Sequence, residues 1–288
     1  MFATLLGPLP RPPLPEDSPH EAVLDACLGL QAEHGLEPAT DGGWPTTDDV
    51  VASWRATSAR ADRLVKAVIP GPLTSGRDAA TVRATLLALA DAGCRWIEVG
   101  EPATASIGSD PDARARFAEA HLALTRDFGA DVHLTLAITG GSADTAGIDT
   151  ILAGAYASLA VDLIDGPDNW RLAVAVPPER GVICGALSAH AGSDDGPEML
   201  LWAARYAAGS KGRGMARVGL ATSGSMADLT WDEAATKVGR LGEAARIAAL
   251  PVDEQRKSID PRAVDIRSAA LGRVEPPPKR RADRPQDR

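Results

Sequence analysis

Several features that would mark a specialised protein are missing from this chain of 288 residues. It has no run of about 18 apolar residues, so no membrane-spanning helix is expected. The charge balance lacks the positive excess that phosphate-rich partners demand: the net charge is −9, which argues against general nucleic-acid or anionic-membrane binding. Cysteine is scarce. Cys27, Cys94 and Cys184 are odd in number and widely separated, which fits neither a disulfide framework nor a CxxC zinc knuckle, and buried reduced thiols are expected. No Walker loop, GxSxG elbow or HExxH helix is present. The opening MFATLLGPLPRPPLPED has no early basic residues and reaches proline within eight positions, so no secretory signal is expected and a cytoplasmic location follows.

Short apolar runs recur along the chain. They fall at 2–6, 64–69, 95–99, 131–138, 159–164, 182–187 and 216–221, with a weaker one at 36–40 before Asp41-Gly42-Gly43. Most are nearly continuous, as in parallel strands buried on both faces. Helical spacing fills the gaps. AATVRATLLALADAG ends on Gly93, DPDARARFAEAHLALTRDFG opens on Asp110-Pro111 and closes at Gly129, and the segment from Thr230 carries acidic residues in its first turn. Eight strands alternating with helices over roughly 250 residues predict an α/β fold, the (β/α)8 TIM barrel. A doubly wound sheet is the rival, but its glycine-rich phosphate turn is not found in LLGPLPRPP. One barrel domain is expected over 1–272. The following 273–288 is rich in proline and charge, has no apolar face, and reads as a disordered tail.

A barrel works through the C-terminal ends of its strands and the loops beyond them. That rule selects Asp41 to Trp44, Glu101, the stretch from His133 to Gly141, Asp162, Asp165, Ser188 to His190, and Ser223. Asp41, Glu101, His133 and Asp165 supply acid–base groups if they face one cavity, and a small-molecule ligand is the expected partner. Each has a plainer reading as a turn or helix-cap residue.

Several segments, in order, resemble the catalytic barrel of cobalamin-independent methionine synthase, in the superfamily that includes uroporphyrinogen decarboxylase. LLGPLPRP is similar to that family's IGSFPQT, GLEPATDGGWPTTD to its GLD…TDGE segment, and VKAVIPGPLT to its GPVT turn. AGCRWIEVGEPA resembles AGxxxIQIDEPA, ERGVICGALSAH resembles GLGVVDVHS, and VGLATSGSM stands where the family has NPDCGL. The resemblance implies a zinc ion held by a His-x-Cys pair, a Glu and a later Cys, which activates the homocysteine thiol for methyl transfer. Carried over by position, those ligands fall on His133, Thr135, Asp165 and Ser223. One of four is unchanged, and both thiolates have become hydroxyls, which are poor zinc ligands. The family's substrate-contacting serine and two acidic anchors fall on Pro8, Gly43 and Gly100.

Three readings follow. The chain is a methyltransferase-like protein with a degenerate zinc and homocysteine site, a metal-independent lyase- or decarboxylase-like enzyme on a carboxylated small molecule, or a non-catalytic ligand-binding barrel. The site residues they nominate are Glu101, His133 and Asp165 for catalysis, and Asp41, Trp44, Glu101 and Ser223 for substrate. His133 and Asp165 are nominated for a metal, and Arg55 or Arg77 to meet carboxylates.

Overall fold

A computed structural model describes residues 1–129, 131–193 and 195–258, so the expected tail lies outside the described residues. Seven strands form the sheet: β1 (Phe2–Thr4), β2 (Ala67–Pro70), β3 (Trp96–Gly100), β4 (His133–Ile138), β5 (Ser158–Asp162), β6 (Gly181–Leu187) and β7 (Val218–Thr222). All neighbours are parallel, in the order β1-β7-β6-β5-β4-β3-β2. The sheet curls until its edges meet across the weakest of the predicted strands, 36–40. Glu37 N–H donates to Ala3 O at 2.8 Å, while Ala39 N–H donates to Leu64 O at 2.8 Å and Lys66 N–H to Ala39 O at 2.9 Å. The architecture is the expected TIM-like barrel, with its eighth position reduced to one bridge between Ala39 and Val65.

Ten helices surround the ring among the described residues. They are α1 (His20–Glu33), α2 (Val50–Arg60), α3 (Pro72–Ser75), α4 (Ala79–Asp91), α5 (Pro111–Thr125), α6 (Ile148–Ile151), α7 (Trp170–Ala175), α8 (Pro197–Gly209), α9 (Trp231–Ala249) and α10 (Val252–Ser258). Their starts follow local chemistry. The Asp110 side chain accepts the N–H groups of Asp112 and Ala113 ahead of Pro111, and Thr230 and Glu233 form a reciprocal capping box. The α5 helix stops at Thr125, four residues before the expected Gly129, because Arg126 already has extended backbone.

Two cores result. The larger lies between sheet and helices and includes Leu86, Leu124, Leu136, Leu200 and Leu241. The smaller fills the ring itself with Leu6, Ala137, Ala160, Ile183 and Ala221, against Phe2 and Trp96. Those inner residues are mostly small, and polar pairs occupy the remaining space. Lys66 meets Glu98 at 2.5 Å with both side chains buried, and its Nζ also donates to Leu5 O at 2.7 Å. Charges this deep persist only when paired.

The ring is uneven. After Ala39, the Asp41-Gly42-Gly43 turn carries the chain away from β2. Gly42 and Gly43 adopt φ +70° and +83°, and a side chain at Gly43 would strike Pro8 at 2.3 Å. Lys66 N–H faces Ala39, so by alternation Val68 N–H faces the same seam. No described residue accepts from it, and Val68 is 44% exposed. Pro70, further along this open edge, has no N–H to satisfy.

Candidate functional site

At the mouth, the open seam leaves a cavity of about 390 Å³. Gly7 and Pro8 after β1, Asp41 and Gly43 in the turn, Ser53 and Thr57 on α2, and the exposed edge of β2 bound it. This is within the size range of small-molecule sites. Asp41 Oδ1 accepts Gly43 N–H at 2.8 Å, which fixes the carboxylate at the cavity wall. Burial raises its pKa above the ordinary carboxylate value, opposed by the Gly43 hydrogen bond and the nearby His20. The polar lining is made of carboxylates and hydroxyls: Asp41 and Asp48 are joined by Thr40, Thr47, Ser53 and Thr57. The charged end of Lys66 is turned inward to Glu98 and Leu5 O. Trp44, expected at this mouth, packs against the main core with Arg11 5.8 Å over its ring, and its buried Nε1–H has no partner among the described residues.

A second polar group stands elsewhere on the same rim. His190 Nε2 lies 2.7 Å from Asp165 Oδ1, joining the loops after β5 and β6, and both side chains are exposed. Asp162 underpins this pair from the end of β5: its Oδ1 accepts the N–H groups of Ile164 and Asp165, and its Oδ2 accepts Gly140 N–H at 3.2 Å. Burial raises the Asp162 pKa against those hydrogen bonds. Ser223, buried after β7, accepts Ala189 N–H at 3.0 Å and so ties the His190 loop to the next strand. Asp41 and the Asp165–His190 pair sit across the ring from each other: between 36–40 and the β5–β6 pair of strands lie β2, β3 and β4 on one side and β7 and β1 on the other.

Glu101 follows β3, yet its carboxylate turns outward. It accepts the N–H groups of Leu73 and Thr74 at 3.0 and 2.8 Å, the Thr74 hydroxyl at 2.7 Å, and lies 3.3 Å from His121 Nε2. His121 Nδ1 in turn meets the Tyr156 hydroxyl at 2.7 Å. Burial opposes the charged form, but the hydrogen bonds from His121 and Thr74 outweigh it and hold Glu101 below the ordinary glutamate value. Its geometry is that of an anchor for α3, and Gly71 has no side chain because a Cβ would meet Glu101 Oε1 at 2.2 Å.

His133 is at the other end of the barrel. It opens β4, pairing with Trp96 at the start of β3. Nε2 lies 2.8 Å from Ser158 Oγ, and the ring is tilted over Trp96 with centroids 3.9 Å apart. Burial lowers its pKa to about 4. From Ser158 to Asp162 alone is four strand steps, about 13 Å at ~3.3 Å per residue. The structure therefore does not bring His133 and Asp165 together, and the metal pairing nominated from sequence has no shared site.

The zinc positions implied by resemblance fail the same geometric test. Thr135 accepts Trp96 Nε1–H at 2.9 Å inside the ring, and Ser223 holds the Ala189 backbone. Among the described residues no group of three His, Cys, Asp or Glu side chains is placed to hold a metal ion. The donors present do not fit a tetrahedral zinc. The three cysteines are free and buried as expected. Cys184 faces α8, with Sγ 3.9 Å from Ala203 O, and burial pushes its pKa up to about 12. Arg55 and Arg77 are exposed and do not line the mouth cavity.

Sequence reasoning placed Asp41, Asp165 and Ser223 at the mouth. It missed the Asp165–His190 pairing, the Lys66–Glu98 pair and the Glu101–His121–Tyr156 chain. Proximity between loops that follow adjacent strands, such as those bearing Asp165 and His190, was the one available signal.

No protein-family model and no curated protein matches the sequence. Solved structures do match. A B12-independent methionine synthase from Shewanella sp. W3-18-1, in complex with selenomethionine, superposes with a TM-score of 0.72 at 12% identity, over 89% of this chain and 99% of that one. A protein from Listeria monocytogenes provisionally named a vitamin-B12 independent methionine synthase gives 0.68 at 13% identity, over 87% and 100%. One from Toxoplasma gondii ME49 provisionally named a deoxyribose-phosphate aldolase gives 0.53 at 12%, over 85% and 94%. At these identities the similarity shows the fold: this chain is a TIM-like barrel whose structural neighbours include B12-independent methionine synthase-like proteins.

Proposed function

We propose that the chain is a methionine synthase-like barrel, a single domain over 1–272, that binds a small amine-bearing molecule at its mouth without zinc–thiolate chemistry. The observation that carries this reading is the seam cavity with Asp41 fixed in its wall. Its side-chain charges and hydroxyls are acceptors for an ammonium group, and the cationic end of Lys66 is engaged elsewhere. The Shewanella neighbour was solved with selenomethionine, an amino acid, which agrees with that ligand class.

A second observation supports catalysis. Asp165 orients the His190 imidazole, and an oriented imidazole on an exposed rim is suited to general acid–base work. Here Asp165 is the orienting group and His190 the proton carrier; the pair stands across the ring from the Asp41 cavity, so proton transfer requires a molecule that extends from that cavity over the rim.

The test is calorimetric titration with L-methionine against its deaminated analogue 4-methylthiobutanoate, using wild type and Asp41→Asn. The reading predicts binding of the amine only, weakened about tenfold or more by D41N, the loss of one charge-assisted hydrogen bond. Equal binding of both compounds, or of both protein forms, contradicts it. Solvent-deuterium incorporation into bound methionine that is lost in His190→Asn supports the catalytic reading; binding without exchange supports a ligand-binding barrel.

A further inference from the structure

The N-terminal end of the barrel contains a second cavity, of about 430 Å³, on the face opposite the mouth. Its shape follows from which residues point into the ring. On one side stand Phe2, Trp96 and His133: the first two meet edge to face at 5.2 Å, and the imidazole is tilted over the indole at 3.9 Å. Ser158, Gly181 and Ile183 also line it, and the first two contribute little bulk. Barrel interiors are usually filled by layers of branched residues. Here Gly219 lets the Phe2 ring lie across β7, where a Cβ would stand 2.5 Å from it, and the space beside the ring stays open.

A run of hydrogen bonds fixes what this cavity offers. Trp96 Nε1–H can only donate, and it donates to Thr135 Oγ1 at 2.9 Å. Thr135 Oγ1 and Ser158 Oγ lie 2.8 Å apart, and Ser158 Oγ lies 2.8 Å from His133 Nε2; we assign Thr135 as donor to Ser158 and Ser158 as donor to Nε2. This assignment uses every hydroxyl hydrogen in the run. It makes Nε2 an acceptor and puts the ring proton of the neutral imidazole on Nδ1, where no described residue meets it. Burial keeps the ring neutral down to a pH of about 4. At the rim are Arg180, Arg217 and Glu179, two cations against one anion. Arg180 is steadied by donating through Nη1 to Leu152 O and Gly154 O, and Arg217 is exposed.

We propose that this cavity is a binding site for a planar aromatic monocarboxylate, its ring against Phe2 and Trp96 and its carboxylate toward His133 Nδ1–H and the rim arginines. The site is independent of the mouth, because the residues that build it belong to the opposite ends of the strands. Aromatic contact supplies most of the affinity and the ring N–H with the arginines supplies the preference for an anion.

The test uses the full-length protein labelled with ¹⁵N and titrated with sodium benzoate, reading the Trp96 indole N–H, assigned through Trp96→Phe. Benzoate is expected to shift that signal saturably, with benzyl alcohol weaker. His133→Phe keeps the aromatic wall and removes the donor, and is expected to weaken benzoate about tenfold. Ala216→Trp, at an exposed position on the cavity rim, is expected to abolish binding and carries the test if the first variant does not fold. No saturable shift at Trp96, equal affinity for benzoate and benzyl alcohol, or affinity unchanged by A216W overturns the proposal.

Discussion

The β6–β7 flank and the seam between 36–40 and β2 are held in different ways. β6 and β7 share five register pairs from Val182↔Val218 to Leu187↔Thr222, so backbone ladders alone fix their spacing. The seam has one bridge, and side chains brace the structure around it. Gln31 donates to Thr40 O and accepts Thr40 N–H, each at 2.9 Å; Lys66 reaches Leu5 O and Glu98; Glu101 grips the start of α3 beyond β2. A laddered wall leaves no room between strands. A wall held by side chains does, and the mouth cavity lies there.

The largest effect expected from breaking this bracing is at Lys66. Lys66→Met leaves Glu98 buried without its partner and should lower unfolding free energy by about 3–5 kcal/mol in urea titration, whereas Lys66→Met with Glu98→Leu should recover much of it. Equal losses in the single and double variants would place the stabilisation outside the pair. Next is Glu101→Ala, which strips acceptors from Leu73, Thr74 and His121. A loss of about 2–3 kcal/mol is expected, with methionine binding at the mouth retained once the protein is folded. Lost binding at unchanged stability would restore Glu101 to the substrate-contacting role the sequence suggested.

The N-terminal end provides the contrast in pH dependence. His133 has a folded pKa of about 4 against 6.5 for an ordinary histidine, so between these values the unfolded chain binds the extra proton. Wild-type stability should therefore fall as pH drops from 6.5 to 4, and His133→Phe should remove that part of the slope. Asp41 works in the opposite direction. Its raised folded pKa makes its contribution favourable at low pH, and this is lost as pH rises through the folded value. Asp41→Asn should therefore leave neutral-pH stability unchanged or slightly higher, the smallest effect of the four, while weakening the amine ligand. A marked loss of melting temperature in that variant would mean the carboxylate is structural.

The barrel was legible in the sequence because parallel strands buried on both faces leave continuous apolar runs, as in Val182–Leu187 and Leu159–Val161. Even the weak run at 36–40 proved to be the weak position of the ring. The site was less legible, for two physical reasons. The apolar run at 131–138 already put His133 near the start of its strand, and grouping it with the rim stretch that ends at Gly141 ignored the length of that strand. The Asp165–His190 pair joins loops 25 residues apart, and nothing in either loop alone announces the other. Glu101 sits where a catalytic residue would, and only its hydrogen bonds show which way it turns.

Amide hydrogen exchange at Val68 tests the central claim most directly. The open seam predicts that Val68 exchanges much faster than Leu220 in β7, and that saturating L-methionine slows it while leaving Leu220 unchanged. A Val68 amide as protected as Leu220 without ligand, or one that methionine does not slow, would contradict a ligand cavity built on an unpaired strand edge.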